Sequence, residues 1–403
     1  MTFAYVDEVV AEVAELAQLF VDGGFRLFLV GGIVRDLWLD QPVDADSDID
    51  LTTDARPGDT KAIVADWADA VWTQGERFGT IGCKRGGRAF EITTHRAEAY
   101  SSDSRKPTVE FGDDIETDLS RRDFTVNAMA MELPAAALVD PFNGASDLAA
   151  KLLRTPLSPT VSFTDDPLRM LRAARFANRY GLVPDAPLLA AATELRGRLA
   201  IVSAERVRDE LQKLLRADDV RVGLDFLAKT GVVGEVLPGV TADGLDAGAA
   251  VGPPWWLRLA GALAPLGLGQ QELATQLRSL RCSSDTSRMI RRTIDGAHAI
   301  TPAEPTDEDI RRWVLAVAPW EAETLRLAAA LGTDISPFAD RHTALAAAED
   351  LRDDSVPLTG HEIADLLGIK PGPGIGAAVD RLREHRLTHG PLDATTARGL
   401  LAD

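Results

Sequence analysis

Residues 29–36 read Leu29-Val30-Gly31-Gly32-Ile33-Val34-Arg35-Asp36, an apolar strand that runs into two glycines and then a short helix with an arginine one turn in. Glycines let backbone amides approach an anion closely, a helix start offers unpaired N–H groups, and Arg35 can fork onto phosphate oxygens. The same pattern also describes a plain tight turn. Outward on the N-terminal side, apolar residues recur at helical spacing over 6–20 and a strand is expected over 26–30. On the other side, residues 49–53 read as a second strand, 54–58 as a turn into a helix over 60–70, and 80–83 with 89–93 as a hairpin around Gly86-Gly87. To about residue 150 the chain is therefore a mixed α/β head, an α+β start.

From about residue 155 the strand signals stop, Ala, Leu and Arg dominate, and the pattern is helix after helix. Stretches rich in Pro and Gly near 238–254, 302–306 and 370–374 divide this part as turns. The expected organisation is a head over 1–154, a helical neck over 155–240, a helical body over 241–350 and a helical tail over 351–403. At about 150 residues per domain, 403 residues suffice for a sizeable core and a separate binding body.

No apolar run approaches a membrane span, and Asp7, Glu8, Glu12 and Glu15 interrupt the region where a secretion signal needs a clean apolar run. Cys83 and Cys282 are the only cysteines, too few for a disulfide framework or a cysteine-rich zinc site. A cytoplasmic protein without a membrane partner is expected. The 43 basic and 62 acidic residues give a net charge of −19, which argues against a polyanionic partner. Residues 151–216 run against that balance, with 12 Lys and Arg against 7 Asp and Glu. This stretch reads either as ordinary helix-surface charge or as a groove that tracks phosphates.

Asp48-Ile49-Asp50 stands at the start of the second strand, where the two-residue pleat puts both carboxylates on one face. Mg²⁺ takes carboxylates plus substrate phosphates, and such ions can activate an attacking hydroxyl and stabilise departing pyrophosphate. A solvated acidic loop is the competing reading, with Asp44, Asp46 and Asp54 nearby. Glu91 lies on a later strand whose alternation can aim it at the same place or leave it exposed.

Taken together with Arg121-Arg122-Asp123-Phe124-Thr125-Val126-Asn127-Ala128-Met129-Ala130, Asp140-Pro141-Phe142-Asn143-Gly144 and Asp165-Asp166-Pro167-Leu168-Arg169-Met170-Leu171-Arg172-Ala173-Ala174-Arg175-Phe176, these motifs resemble the class II nucleotidyltransferases. That family comprises tRNA nucleotidyltransferases, which add CCA, and bacterial poly(A) polymerases. The resemblance implies a polymerase-β-like head followed by an all-α neck, body and tail. It also implies Mg²⁺ held by Asp48 and Asp50; Glu91, from the alternation of its strand, is the candidate third catalytic carboxylate. The nucleotide-binding set it implies is Gly31, Gly32, Arg35, Arg121, Arg122, Asp123, Asn127, Asp166, Arg169, Arg172 and Arg175. Arg169, Arg172, Arg175 and Arg179 recur at helical spacing, and Asp165 or Asp166 can equally cap a helix with Pro167 at its first position.

Within that resemblance Asp166 and Arg169, read as helical neighbours three apart, stand in for a template base. A carboxylate accepts from the exocyclic amine of cytosine or adenine and a guanidinium donates to the adjacent ring nitrogen. Uracil and guanine present a carbonyl instead and leave acceptors facing each other. The family more usually has Glu-Asp where this chain has Asp165-Asp166, a change that keeps the charge.

Residues 203–215 and the tail segment 358–376, with its Gly-Ile-Lys-Pro-Gly-Pro loop, also resemble the family, and the loop reads as a tRNA contact or a plain connector. The body departs from many relatives: none of the six histidines is followed by Asp, so no His-Asp phosphohydrolase motif is present. The expected activity is template-independent addition of CCA to tRNA from CTP and ATP, with release of pyrophosphate; no protein partner is inferred. The alternatives are a poly(A) polymerase, an enzyme adding only CC or only A, antibiotic nucleotidylation, and a non-catalytic RNA-binding module. A polar stretch over 97–118 is expected to be a mobile loop that levers the switch from C to A.

Overall fold

A computed structural model describes residues 5–44, 47–96, 111–301 and 303–402. The chain forms two compact units, Met1–Ser203 with Asp225–Glu235, and Ala204–Leu224 with Val236–Asp403.

The first unit opens with helix α1 (Val6–Asp22), whose Val9, Val13, Leu16, Ala17 and Phe20 recur every three or four residues and are all buried. Seven strands follow: β1 (Leu27–Val30), β2 (Ile49–Thr53), β3 (Ala70–Trp72), β4 (Thr80–Arg85), β5 (Arg88–Thr94), β6 (Ala130–Leu133) and β7 (Ala137–Val139), in the sheet order β3-β4-β5-β2-β1-β6-β7. The β2–β5 pair is parallel and the other pairs are antiparallel. β1 reads as an unbroken apolar run because both of its faces are covered: Leu27 and Leu29 join the α1 core, while Phe28 and Val30 pack with Ile115, Leu119 and Ala128.

Short helices α2 (Gly32–Trp38) and α3 (Pro57–Val64) sit on this sheet. The helix expected over 60–70 begins earlier, with Pro57 in its first turn, and stops at Val64. Asp69 N–H donates to the Lys84 carbonyl at 2.8 Å and Ala70 pairs with Lys84, so strand addition to the β4–β5 hairpin overrides local helix propensity. That hairpin closes with Arg85 opposite Arg88, around the expected glycines.

Of the polar stretch 97–118, residues 97–110 lie outside the described residues, and with them the expectation of a mobile lever. Only the end of the stretch departs from a loop, because Ile115–Ser120 is a helix, α4. Asp114 caps it, accepting from Glu116 N–H at 3.2 Å and Thr117 N–H at 3.0 Å.

Helices α5 (Gly144–Ala149), α6 (Pro159–Asp165), α7 (Arg169–Tyr180) and α8 (Ala186–Leu195) complete the first unit's main elements. The expectation of helices alone after 155 misses one feature: Val183–Pro184 (β9) pairs in parallel with Leu152–Leu153 (β8). Asp165 ends α6 rather than capping α7, and Pro167 falls in the link instead of at the first position of the following helix. Asp166 keeps part of the capping role, its Oδ1 accepting from Leu168 N–H at 3.2 Å.

The described residues of the second unit are helical, beginning with α9 (Ala204–Leu215). A helix over Ala242–Ala250 occupies the middle of the stretch expected as a turn. Its glycines serve packing, since a Cβ on Gly244 would meet the Ala262 carbonyl oxygen at 2.6 Å and one on Gly248 the Arg258 carbonyl oxygen at 2.8 Å. Arg258 itself is 2% exposed and donates to the carbonyls of Leu215 at 3.0 Å, Asp218 at 2.6 Å and Ala217, closing the C-terminal end of α9. In the tail, helices Gly360–Leu367, Pro373–His389 and Ala394–Ala402 share a small core of Ile363, Leu382, Ala397 and Leu401, and the Gly-Ile-Lys-Pro-Gly run connects the first two. No helix among the described residues is long and apolar enough to cross a membrane.

Candidate active site

Parallel pairing of β2 with β5 sets Asp50 directly opposite Glu91. Asp48 and Asp50 are both exposed on either side of buried Ile49, as the pleat demands. Asp50 and Glu91 line a cavity of about 320 Å³ together with Arg96, Asp118, Arg121 and Arg122. Asp48 is not among the residues lining it. Solvent reaches Asp50 through the cavity mouth, yet the surrounding walls partly desolvate it. That burial, followed by the charge of Glu91, raises its carboxyl above the usual range; Arg122 opposes the shift and Asp48 adds to it. Among the described residues no three His, Cys, Asp or Glu side chains close into a complete metal cluster. Crowded hard oxygens with an incomplete ligand set fit a divalent cation that takes its remaining ligands from phosphates and water.

Gly31 shapes the floor of this region. Its φ of +73° favours glycine, and a Cβ there would lie 2.9 Å from Arg122 Nη1, so the missing side chain lets the guanidinium settle against the turn. Gly32 opens α2. The Asp118 carboxylate holds the other arm of Arg122, accepting from Nη2 at 3.2 Å.

Directly after Arg121 and Arg122 in the chain, Asp123 opens a closed polar network. Asp123, 7% exposed, accepts from Arg172 Nε at 2.8 Å and Nη2 at 2.6 Å through Oδ2, and from Phe124 N–H and Asn127 Nδ2, both at 2.9 Å, through Oδ1. Asn127 Oδ1 in turn accepts from Arg35 Nη1, whose guanidinium also pairs with Asp36 at 2.8 Å and lies 4.2 Å from the Tyr180 ring centroid. Burial works to raise the Asp123 carboxyl, but the Arg172 charge and the hydrogen bonds from Asn127 and Arg172 outweigh it and hold it below the usual range. Arg35 is 5% exposed, so it braces this network instead of presenting the open fork expected for phosphate.

On the neck, Asp166 and Arg169 do not share a helix, because Asp166 stands in the link before α7. Arg169 reaches back to Ser162 Oγ at 2.8 Å and to the Arg121 carbonyl, tying α7 to the Arg121-Arg122-Asp123 segment. Arg175 lies over the Phe176 ring at 4.7 Å. The structure thus brings Asp50, Glu91, Arg121 and Arg122 to one cavity, and Arg35, Asp123, Asn127 and Arg172 to one network.

Sequence reasoning passes over Asp118, Arg96 and Tyr180. Asp118 and Arg96 line the cavity, and Tyr180 stacks on Arg35. The four-residue spacing of Asp118 from Arg122 is the one signal that could have singled it out.

Residues 27–154 match the family model of the poly A polymerase head domain, and residues 183–243 match that of the probable RNA and SrmB-binding site of polymerase A. A CCA-adding enzyme of Limosilactobacillus fermentum is 31% identical over 367 residues, covering 90% of this chain and 88% of the relative. One of Lactobacillus delbrueckii subsp. bulgaricus is 30% identical over 398 residues, 95% of each. Among solved structures, a Bacillus stearothermophilus CCA-adding enzyme in complex with CTP is similar at a TM-score of 0.72 and 27% identity, covering 93% of this chain and 92% of that one. A Thermotoga maritima CCA-adding enzyme complexed with tRNA_CCA shares the fold at a TM-score of 0.71 and 21% identity over 98% of each chain.

Proposed function

The chain belongs to the CCA-adding enzymes, a family of nucleotidyltransferases, and from that premise we propose that it adds C, C and A in turn to the 3′ end of tRNA, from CTP and ATP and without a nucleic-acid template. The observation that carries this reading is the cavity itself, lined by Asp50 and Glu91 in register on adjacent strands and by Arg121 and Arg122.

In this reading the tRNA 3′-hydroxyl attacks the nucleotide α-phosphate and pyrophosphate leaves. Arg121 and Arg122 offer the triphosphate a cationic wall. Asp48 and Asp50, with Glu91 beside them, would hold Mg²⁺, which when bound supplies charge neutralisation for the attacking and leaving oxygens. Without a cation between them these carboxylates would repel phosphate, so a pure RNA binder gains nothing from the arrangement. Asp123 fixes Arg172 and Asn127, and Asn127 fixes Arg35, so that the segment carrying Arg121 and Arg122 is braced before substrate arrives. Base choice falls to Asp166 and Arg169: the carboxylate accepts from the amine of cytosine or adenine, and Arg169 exchanges its Ser162 contact for the neighbouring ring nitrogen. The basic stretch 151–216, and the match of 183–243 to an RNA-binding model, support a tRNA partner. The division of labour is a catalytic head over 1–154, a nucleotide-selecting neck over 155–240, a reduced body over 241–350 and a tRNA-binding tail over 351–403.

A poly(A) polymerase is the second reading, favoured by the name of the head model matched over 27–154. Both are tested by incubating the protein with tRNA ending before, within and at the end of CCA, supplying each nucleoside triphosphate singly with Mg²⁺, and sizing the products. CCA addition requires two C residues from CTP and a single A from ATP only on tRNA ending in CC. Long A tails would replace this reading with the second, and no extension of any substrate would remove the enzymatic reading.

A further inference from the structure

Three carboxylates line the cavity, and one of them is unlike the others. Asp50 and Glu91 are exposed, whereas Asp118 is 8% exposed and each of its oxygens already accepts a hydrogen bond from the protein. Oδ1 accepts the Arg96 main-chain N–H and Oδ2 accepts Arg122 Nη2, both at 3.2 Å. The other arm of Arg122, Nη1, lies where a side chain on Gly31 would reach to 2.9 Å. The guanidinium is thus held on one side by a charge and given room on the other by a missing Cβ. Arg96 stands two residues beyond the end of β5, the strand that carries Glu91. One carboxylate therefore fastens the end of the Glu91 strand and the Arg122 guanidinium at the same cavity wall.

We propose that Asp118 is a positioning residue for nucleotide addition: by holding Arg122 in the cavity that Asp50 also lines it sets where the triphosphate lies, without itself touching nucleotide or metal. The proposal rests on the reading that this cavity takes the nucleoside triphosphate. An arginine released from its carboxylate keeps its charge but loses its aim, so binding of CTP and of ATP weakens together. Base selection, a matter for other residues, stays as it was.

The test is steady-state addition of C to tRNA ending in C, and of A to tRNA ending in CC, by wild type, Asp118→Ala, Arg122→Ala and the double variant, with tRNA affinity measured separately. Wild-type extension establishes the underlying reading, and its absence would sink that reading rather than this one. Asp118→Ala should raise KM for CTP and ATP alike by about tenfold or more, the usual worth of a charge-assisted hydrogen bond, with tRNA affinity within about twofold of wild type. In the Arg122→Ala background the same substitution should add nothing, because the residue acts through Arg122. Multiplicative effects of the two substitutions, or a KM unchanged in Asp118→Ala, would overturn the proposal. If Asp118→Ala does not fold, Asp118→Asn, which loses the charge but keeps an oxygen acceptor, takes its place: a smaller rise in both KM values that disappears in the Arg122→Ala background supports the proposal, and multiplicative effects overturn it.

Discussion

The acidic edge of β2 and β5 and the network around Asp123 are built from the same kinds of side chain to opposite ends. At the edge, Asp48, Asp50 and Glu91 are exposed, and partial desolvation by the cavity walls, followed by the like charges of Glu91 and Asp48, pushes the Asp50 carboxyl up. In the network, Asp123 is buried, accepts four hydrogen bonds and has its carboxyl pulled down. The edge is left electrically unfinished and the network is complete. Chemistry is available where the protein has withheld its own counter-charges, and rigidity resides where it has supplied them.

The strongest way to break this contrast is Asp50→Ala, which should lower both C and A addition by about a thousandfold or more while tRNA affinity holds. Because it removes one of several crowded like charges, its thermal midpoint should equal or exceed that of wild type. Turnover near the wild-type rate would show that the edge is merely a solvated surface. Asp123→Ala should do the reverse in kind, costing about 3 kcal/mol in urea unfolding, at the lower end for a broken buried pair because the Arg172 side chain is 31% exposed. Its pH dependence follows from the lowered carboxyl. The stability Asp123 contributes is present above the ordinary carboxylate range and lost as pH falls through the lower folded value, so the gap between wild type and variant should close below about pH 4. A gap that stays constant from neutral pH into acid would mean that the carboxylate charge is not what holds Arg172.

Asp166 belongs to neither the cavity lining nor the Asp123 bonds above, sitting in the link before α7 where it accepts from Leu168 N–H. Asp166→Ala should relax discrimination against UTP by about tenfold, the loss of one selective acceptor, in single-nucleotide extension assays. Unchanged fidelity with weakened CTP binding would reduce it to a cap. The smallest effect belongs to Tyr180. Tyr180→Phe keeps the ring over Arg35 and should leave urea stability unaltered, whereas Tyr180→Leu should cost about 1 kcal/mol. An equal loss in both would place the weight on the hydroxyl instead of the ring face.

What could be read from the chain and what could not divide along physical lines. β2, the β4–β5 hairpin and α1 follow from local periodicity and glycine chemistry, and the Asp50–Glu91 meeting follows from strand alternation once the two strands pair. The roles of Arg35 and Asp118 do not, because an arginine after Gly-Gly and an aspartate before Arg-Arg look alike whether they face a ligand or one another. Tertiary contacts decided those cases, as they decided the early end of α3, where the pairing of Ala70 with Lys84 takes the chain into the sheet. The helix over Ala242–Ala250 was hidden for a different reason: its glycines signal a turn locally but serve close packing against backbone carbonyls. The pairing of Val183–Pro184 with Leu152–Leu153 spans too few residues to leave any periodic trace.

The buried guanidinium of Arg258 carries a lesson for anyone dissecting the chain. Leu215, Ala217 and Asp218 hand their carbonyls to a residue some forty positions downstream, so the last turn of Ala204–Leu215 is finished by a part of the polypeptide that has yet to be made when that helix leaves the ribosome. A truncation ending anywhere between 219 and 257 would return those oxygens to water and fray the helix from its C-terminal end, inviting protease at 216–220, while one that retains Trp255–Leu263 would keep the helix whole.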